Sequence, residues 1–329
     1  MKILYAIQGT GNGHLCRAMD VIPCLQQLGD VDVLISGIQA DIELPFEVKY
    51  RYHGLSFIFG KSGGIDFWRT FMSSTIRRFI QEINAVPVEK YDLIINDFEP
   101  ITAWACHTKE IPCVGLSHQI GAMHPSSPKP EETDMMGRFI MKNYAPVTDG
   151  YGFHFKRYHE SIFTPVIRNE VREANVTENG HYTVYLPAYD DAHLLKHLSK
   201  FKDVRWEVFS KHNTTPIHLK NISINPIDSA AFIQSMASSE GVLCGAGFET
   251  PAEALYLKKK LMVVPMKNQY EQHLNAAALE EMGVPVIPSL KRKFEFEMEL
   301  WLNNVDRVHV EYLDNTFEIV ENIVNKYRK

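Results

Sequence analysis

The sequence predicts an α/β protein built from two Rossmann-like domains. Short apolar runs of strand length alternate with longer helical patterns along the whole chain, as parallel βαβ units require, because a parallel strand is reached only by a crossover that packs on the sheet. A glycine turn joins a strand to a helix in each half. With 329 residues, 45% of them hydrophobic, the chain exceeds one ordinary core and suits two domains of roughly 150 residues each.

In the first half the apolar runs place strands at Ile3 to Ile7, Val31 to Ser36, Leu93 to Asn96 and Cys113 to Ser117. Leu15, Ala18, Met19, Ile22, Leu25 and Leu28 recur at three-and-four spacing, predicting one buried helix face that ends at Gly29 and is kinked at Pro23. From Gly121 to Asp149 the pattern dissolves around Pro125, Pro128 and Pro130, predicting a long loop at an interdomain cleft. The second series runs through Tyr182 to Leu186, Trp206 to Phe209, Gly241 to Cys244 and Leu261 to Pro265. The expected organisation is a first domain over 1–160, a second over 161–310, and a helix over 311–329 returning to the first, with Leu313, Phe317, Val320 and Ile323 on its buried face.

Composition narrows the function classes. A formal charge of -6 argues against nucleic acid as partner, because a phosphate backbone demands a basic surface. The five cysteines, Cys16, Cys24, Cys106, Cys113 and Cys244, are scattered and form no C-x-x-C pair, which points to neither a disulfide framework nor a zinc site and fits a reducing cytoplasm. The N-terminal apolar run has the length of a strand and not of a signal peptide, and no run is long enough to span a bilayer.

The first strand runs into Gly9-Thr10-Gly11-Asn12-Gly13-His14. Glycines there let a ligand approach the following helix, yet His14 occupies the third glycine position of a dinucleotide fingerprint, which demotes a dehydrogenase reading. His14 stands at the mouth of an open sheet, either as a proton acceptor or as a histidine that only bonds its turn. Asp97 ends another parallel strand and emerges at the same edge, where its carboxylate would orient His14; a loop or N-cap aspartate is the plain alternative, and Glu99 is the next candidate.

In the second half Gly245-Ala246-Gly247-Phe248-Glu249-Thr250-Pro251-Ala252-Glu253 opens onto a helix whose amides and dipole suit a diphosphate. Thr250, Pro251 and Glu253 also spell a capping box with a proline start, which competes for the Glu253 carboxylate. Further on, Glu271, Gln272 and Asn275 supply groups of the kind that read sugar hydroxyls. Asp30-Val31-Asp32 spells D-x-D but enters a strand and reads as turn chemistry, so no metal is expected.

Together these segments resemble the GT-B glycosyltransferases, especially the bacterial peptidoglycan N-acetylglucosaminyltransferase and the plant and antibiotic glucosyltransferases. The resemblance implies two Rossmann-like domains facing across a cleft, with no metal and no cofactor. Gly11, Asn12 and Gly13 match the acceptor loop; His14 and Asp97 match a general-base dyad for an inverting displacement. Gly245, Ala246, Gly247 and Thr250 would lie against the donor diphosphate, Glu253 would bind the ribose, Glu271 and Gln272 the sugar, and Ile227 would meet the nucleobase. Departures are Leu186-Pro187-Ala188-Tyr189, which lacks a Gly-Gly-Ser pattern, and Glu271, where Asp is commoner. The implied function is transfer from a nucleoside diphosphate sugar, UDP-linked by preference, to an acceptor hydroxyl. An epimerase or hydrolase on the same fold, and a non-catalytic sugar-nucleotide binder, are the competing readings. Between Lys61 and Ile80, Phe67, Trp68, Phe71, Met72, Ile76, Phe79 and Ile80 mix with Lys61, Arg69, Arg77 and Arg78. This composition suits an ordinary core helix with solvated arginines, an acceptor-pocket lid, or peripheral docking at the inner face of a membrane, where a lipid-linked acceptor would be met.

Overall fold

The first strand, β1 (Lys2–Gln8), is buried from Ile3 to Ile7 without a polar alternation, the pattern of a central strand covered on both faces. The computed structural model describes residues 1–37, 44–55, 75–132 and 134–328. The chain divides into two compact units: Met1–Ser127, Thr133–Arg168 and Leu313–Lys329 form unit one, and Pro128–Glu132 with Asn169–Tyr312 form unit two.

In unit one β1 is followed by α1 (Asn12–Gln26), β2 (Asp30–Ser36), β3 (Tyr50–Tyr52), α2 (Thr75–Ala85), β4 (Leu93–Asp97), α3 (Pro100–Thr108), β5 (Val114–Ser117), α4 (His118–Met123), α5 (Met135–Asn143), β6 (Asp149–Phe153) and β7 (Ile162–Phe163). The sheet order is β3-β2-β1-β4-β5-β6-β7, with every pair parallel. The winding direction reverses between β1 and β4, so the crevice where open α/β sheets bind ligands lies beyond their carboxyl ends. Ile7 pairs with Asp97 there.

Helix α1 buries Leu15, Ala18, Ile22 and Leu25 as the spacing predicts, together with Cys16 and Arg17, and it stops at Gln26 instead of reaching Gly29. Leu28 and Gly29 both donate to the Leu25 carbonyl, a tight turn that ends the helix early. The stretch expected as a long loop over Gly121 to Asp149 is also corrected. It holds the end of α4 and all of α5, capped by Ser117 and Asp134. Met135, Met136 and Phe139 of α5 are exposed, so no buried periodicity marked this helix in the sequence. Most of the 61–80 segment lies outside the described residues; Ile76 and Ile80, on α2, are exposed.

Unit two comprises α6 (Asn169–Arg172), β8 (His181–Tyr185), α7 (Asp191–Leu198), β9 (Arg205–Ser210), β10 (Ile217–Leu219), β11 (Ile222–Pro226), α8 (Ser229–Ser238), β12 (Gly241–Gly245), α9 (Glu249–Tyr256), β13 (Lys260–Val264), α10 (Tyr270–Glu281) and α11 (Glu295–Asn303). Its sheet runs β10-β11-β9-β8-β12-β13, parallel except at the β10 edge. The reversal here falls between β8 and β12. One side of this sheet packs Val184, Trp206, Val208, Leu243 and Met262 against Leu194 and Trp301.

The last helix, α12 (Thr316–Tyr327), belongs to unit one and packs on α1. Its buried face is Thr316, Ile319, Val320, Ile323 and Val324. Leu313 is 70% exposed and Phe317 38%, against expectation: the helix begins only at Thr316, so Leu313 precedes it, and Phe317 sits off the contact stripe. Among the described residues no helix is long and apolar enough to cross a membrane.

Trp206 is fully buried in unit two, and its indole N–H has no hydrogen-bond partner among the described residues. Truncation should therefore cost packing without breaking a polar contact. Trp206→Ala is expected to lose about 3–5 kcal/mol, and Trp206→Phe markedly less, as read from urea unfolding midpoints.

Candidate functional site

At the end of β1 the chain turns sharply. A Cβ on Gly9 would stand 2.7 Å from the Ile35 side chain, and the Gly9 amide donates to the Ser36 carbonyl at 2.6 Å, so the turn is pressed onto β2. Gly11 is the N-cap of α1 with φ 101°, a conformation that an L side chain rarely adopts, although space around it is open. Asn12 and Gly13 then form the first helical positions, and His14 the third.

The structure brings His14 and Asp97 together. His14 Nδ1 lies 2.9 Å from Asp97 Oδ1; the His14 side chain is 12% exposed and Asp97 is fully buried. Arg17, one turn further along α1 and 2% exposed, forks onto the same carboxylate, with Nε donating to Oδ2 at 3.1 Å and Nη2 to both oxygens at 2.8 Å. Burial pushes the Asp97 carboxyl up, but Arg17 and His14 outweigh it and hold the group below its ordinary value. Asp97 is therefore an acceptor only. Nδ1 carries the ring proton toward it, and Nε2 is left as the basic nitrogen, 3.3 Å from the Gln119 amide nitrogen.

Between Asp97 and the next helix, Phe98 has φ 56°. A left-handed phenylalanine costs on the order of 1–3 kcal/mol, and a clamp holds it. Asn96 donates to the Glu99 carbonyl and accepts from the Glu99 amide, both at 2.8 Å. The Phe98 ring lies parallel to the His14 ring at 6.5 Å and packs on Tyr144 at 4.9 Å. Glu99 is the residue that caps α3, accepting from the amides of Ile101 and Thr102 and from the Ser36 hydroxyl. Burial raises its carboxyl above the usual range. Capping thus falls to Glu99, and Asp97 is spared for His14 and Arg17.

In unit two the glycine turn follows β12, beside β8 at the reversal of strand order. The capping box expected at Thr250, Pro251 and Glu253 is not formed. Helix α9 begins at Glu249, and its N-cap Phe248 has no side-chain group that could accept the first helix amides. Thr250 and Pro251 become second and third helical positions, and Glu253 is a buried carboxylate one turn inside the helix. Two side chains of α10 reach this turn. Asn275, buried, donates to the Ala246 carbonyl at 3.1 Å. Gln272 accepts from the Met266 amide at 2.8 Å, and its amide group would lie within 4 Å of a Cβ placed on Gly245. Glu271 occupies the first turn of α10. Ile227 is 40% exposed between β11 and α8, where Asp228 caps α8 through the Ala231 amide. A cavity of about 410 Å³ lined by Lys259, Trp301 and Arg307 opens at the amino-terminal end of β13, away from these residues.

The D-x-D pair is in β2, where Asp32 accepts from Lys49 and Tyr91 at 2.7 and 2.8 Å. Arg17, Gln119 and Phe98 escaped the reading of the sequence. Only Arg17 carried a signal, three residues after His14 and so on the same helix face.

A model of the family described as "Glycosyl transferase family 1" matches residues 1–297. No curated protein matches the chain. Among solved structures, MurG of Acinetobacter baumannii is 13% identical over 99% of this chain and 99% of its own, with a TM-score of 0.58. UGT89C1 of Arabidopsis thaliana, complexed with UDP, is 13% identical over 99% and 94%, TM-score 0.58. The spinosyn rhamnosyltransferase SpnG, complexed with thymidine diphosphate, is 13% identical over 99% and 96%, TM-score 0.54. At that identity the likeness is one of fold, and the fold is GT-B.

The Asp97 charge favours folding in full above its unfolded value of about 3.9, and this contribution is lost as pH falls through the lower folded value. Asp97→Asn should therefore cost about 3–5 kcal/mol at neutral pH, since it leaves the Arg17 guanidinium buried without that charge. The loss should shrink toward acid, as read from urea midpoints at descending pH.

Proposed function

The chain belongs to glycosyl transferase family 1, and from that membership we propose that it moves a hexose from a nucleoside diphosphate, UDP by preference, to an acceptor hydroxyl with inversion. The observation that carries this reading is the His14 Nδ1 to Asp97 Oδ1 bond of 2.9 Å at the sheet's reversal, which leaves Nε2 as a base at the ligand-binding edge. His14 Nε2 takes the proton of the acceptor hydroxyl as its oxygen bonds to the anomeric carbon. The bond from that carbon to the diphosphate oxygen breaks, and the electron pair leaves with the nucleoside diphosphate. Asp97 fixes the tautomer and balances the imidazolium.

For the donor we propose unit two. The turn Gly245, Ala246, Gly247 and the start of α9 at Thr250 offer amides and a dipole to the diphosphate. Glu253 takes the ribose hydroxyls, Glu271 and Gln272 the sugar, and the exposed loop at Ile227 the base. Support comes from the contacts of Asn275 and Gln272 with the glycine turn, which bring two separated motifs together at one sheet edge. Gly11, Asn12 and Gly13 border the acceptor.

A thermal-shift panel of nucleoside diphosphates is the first test, since a ligand of the native state raises its melting temperature; UDP is expected to stabilise, and no response to any nucleotide would sink the reading. Glu253→Ala should weaken UDP binding about 10- to 100-fold, the loss of a hydrogen bond to a charged group. His14→Ala should lower transfer about 10²- to 10⁴-fold with UDP affinity unchanged. Full transfer by that variant would refute the mechanism, and donor breakdown without acceptor would mark a hydrolase.

A further inference from the structure

Arg17 is a second buried charge on Asp97, and helix capping does not account for it, because Glu99 already caps α3. Its Nη2 lies 2.8 Å from Asp97 Oδ1 and 3.1 Å from His14 Nδ1, so two donors converge on one carboxylate oxygen. The guanidinium carbon sits 5.6 Å from the centre of the Phe153 ring, which fixes the fork from behind.

The two protonation states of His14 feel this arrangement differently. While the ring is neutral, Nδ1–H and the guanidinium share the carboxylate. When the ring takes a second proton, two cations a hydrogen bond apart are balanced by a single anion. A buried carboxylate paired with His14 alone would stabilise the imidazolium strongly, and a base that is already protonated takes no proton. Among the described residues the groups facing His14 are Arg17 on its own helix, Asp97 from β4, the Gln119 amide from α4 and the Phe98 ring. Of the nearby acids, Glu99 is held by Ile101, Thr102 and Ser36, and the Tyr144 phenol accepts from Gln8 and donates to Leu55.

We propose that Arg17 is a positioning residue that offsets part of the Asp97 charge and so keeps His14 neutral and available as a base. This rests on the transferase reading only for what the base is used for.

The test is a titration of the His14 ring in the full chain. The histidines are labelled with ¹³C at Cε1, and the His14 signal is assigned by its loss in His14→Ala. In Arg17→Gln the His14 midpoint is expected to rise by about 1–3 pH units, the range for an uncompensated carboxylate partner. Arg17→Lys, which keeps the charge and loses the fork, should stay near the parent. The acid limb of kcat/KM should move upward with the midpoint in Arg17→Gln. Should that variant fail to fold, the neutral Arg17→Met, which keeps most of the side-chain volume beside Asp97, is titrated in its place with the same expected rise. An unmoved midpoint, or an equal shift in Arg17→Lys, overturns the proposal. The titration needs neither donor nor acceptor, so it succeeds or fails independently of whether transfer is found.

Discussion

One buried carboxylate organises unit one. Asp97 has no exposed surface, and an ionised group there is tolerable only if cations and donors surround it. Both His14 and Arg17 come from the same turn-and-a-half of α1 to meet it, and this ties the helix start to the end of β4 across the strand reversal. The glycines ahead of α1 serve the same constraint. Gly9 presses the turn onto β2 and Gly11 bends the chain through a positive φ, which sets where α1 begins and therefore which way His14 points. The strain at Phe98 belongs to the same arrangement: the left-handed residue separates Asp97, turned to the dyad, from Glu99, turned to the helix cap.

Unit two repeats the topology with different physics at the edge. The turn after β12 is braced by neutral amides from α10, Asn275 on the Ala246 carbonyl and Gln272 beside Gly245, with no buried ion pair among those contacts. The two halves of one architecture thus brace their turns differently, unit one through an ion pair on Asp97 and unit two through the side-chain amides of Asn275 and Gln272.

The strands β1, β2, β4 and β5 of unit one and β8, β9, β12 and β13 of unit two were legible in the sequence almost to the residue, because a strand covered on both faces is a continuous apolar run bounded by turns. The strands that escaped have no such run. β3 and β7 span three and two residues, β10 is exposed, β6 begins Asp149-Gly150-Tyr151-Gly152, and β11, Ile222–Pro226, alternates apolar with polar residues and ends in proline. Of the site, His14 and Asp97 could be paired in advance because parallel strands put their carboxyl ends on one edge. Arg17 could not, since a helix arginine ordinarily lies in solvent and only the depth of Asp97 makes its burial sensible. The terminal helix was recognised but misaligned, because Leu313 continues the apolar spacing past the point where the helix starts.

Helix starts carry the distinction further. Among helices entered from the carboxyl edges of the two sheets, α3, α4, α7 and α8 are capped by Glu99, Ser117, Asp190 and Asp228. At α1, α9 and α10 the N-cap residues Gly11, Phe248 and Gln269 make no side-chain cap. Replacing a capping side chain by alanine costs about 0.5–2 kcal/mol and by glycine only about a few tenths, and these three helices follow a glycine turn or carry Glu271 and Gln272 in their first turn. A capping side chain would occupy the amides and fill the space over the turn. At these three helices the N-cap side chain leaves the first-turn amides uncapped. The early start of α9 also moves Glu253 from a capping-box position to one turn inside the helix.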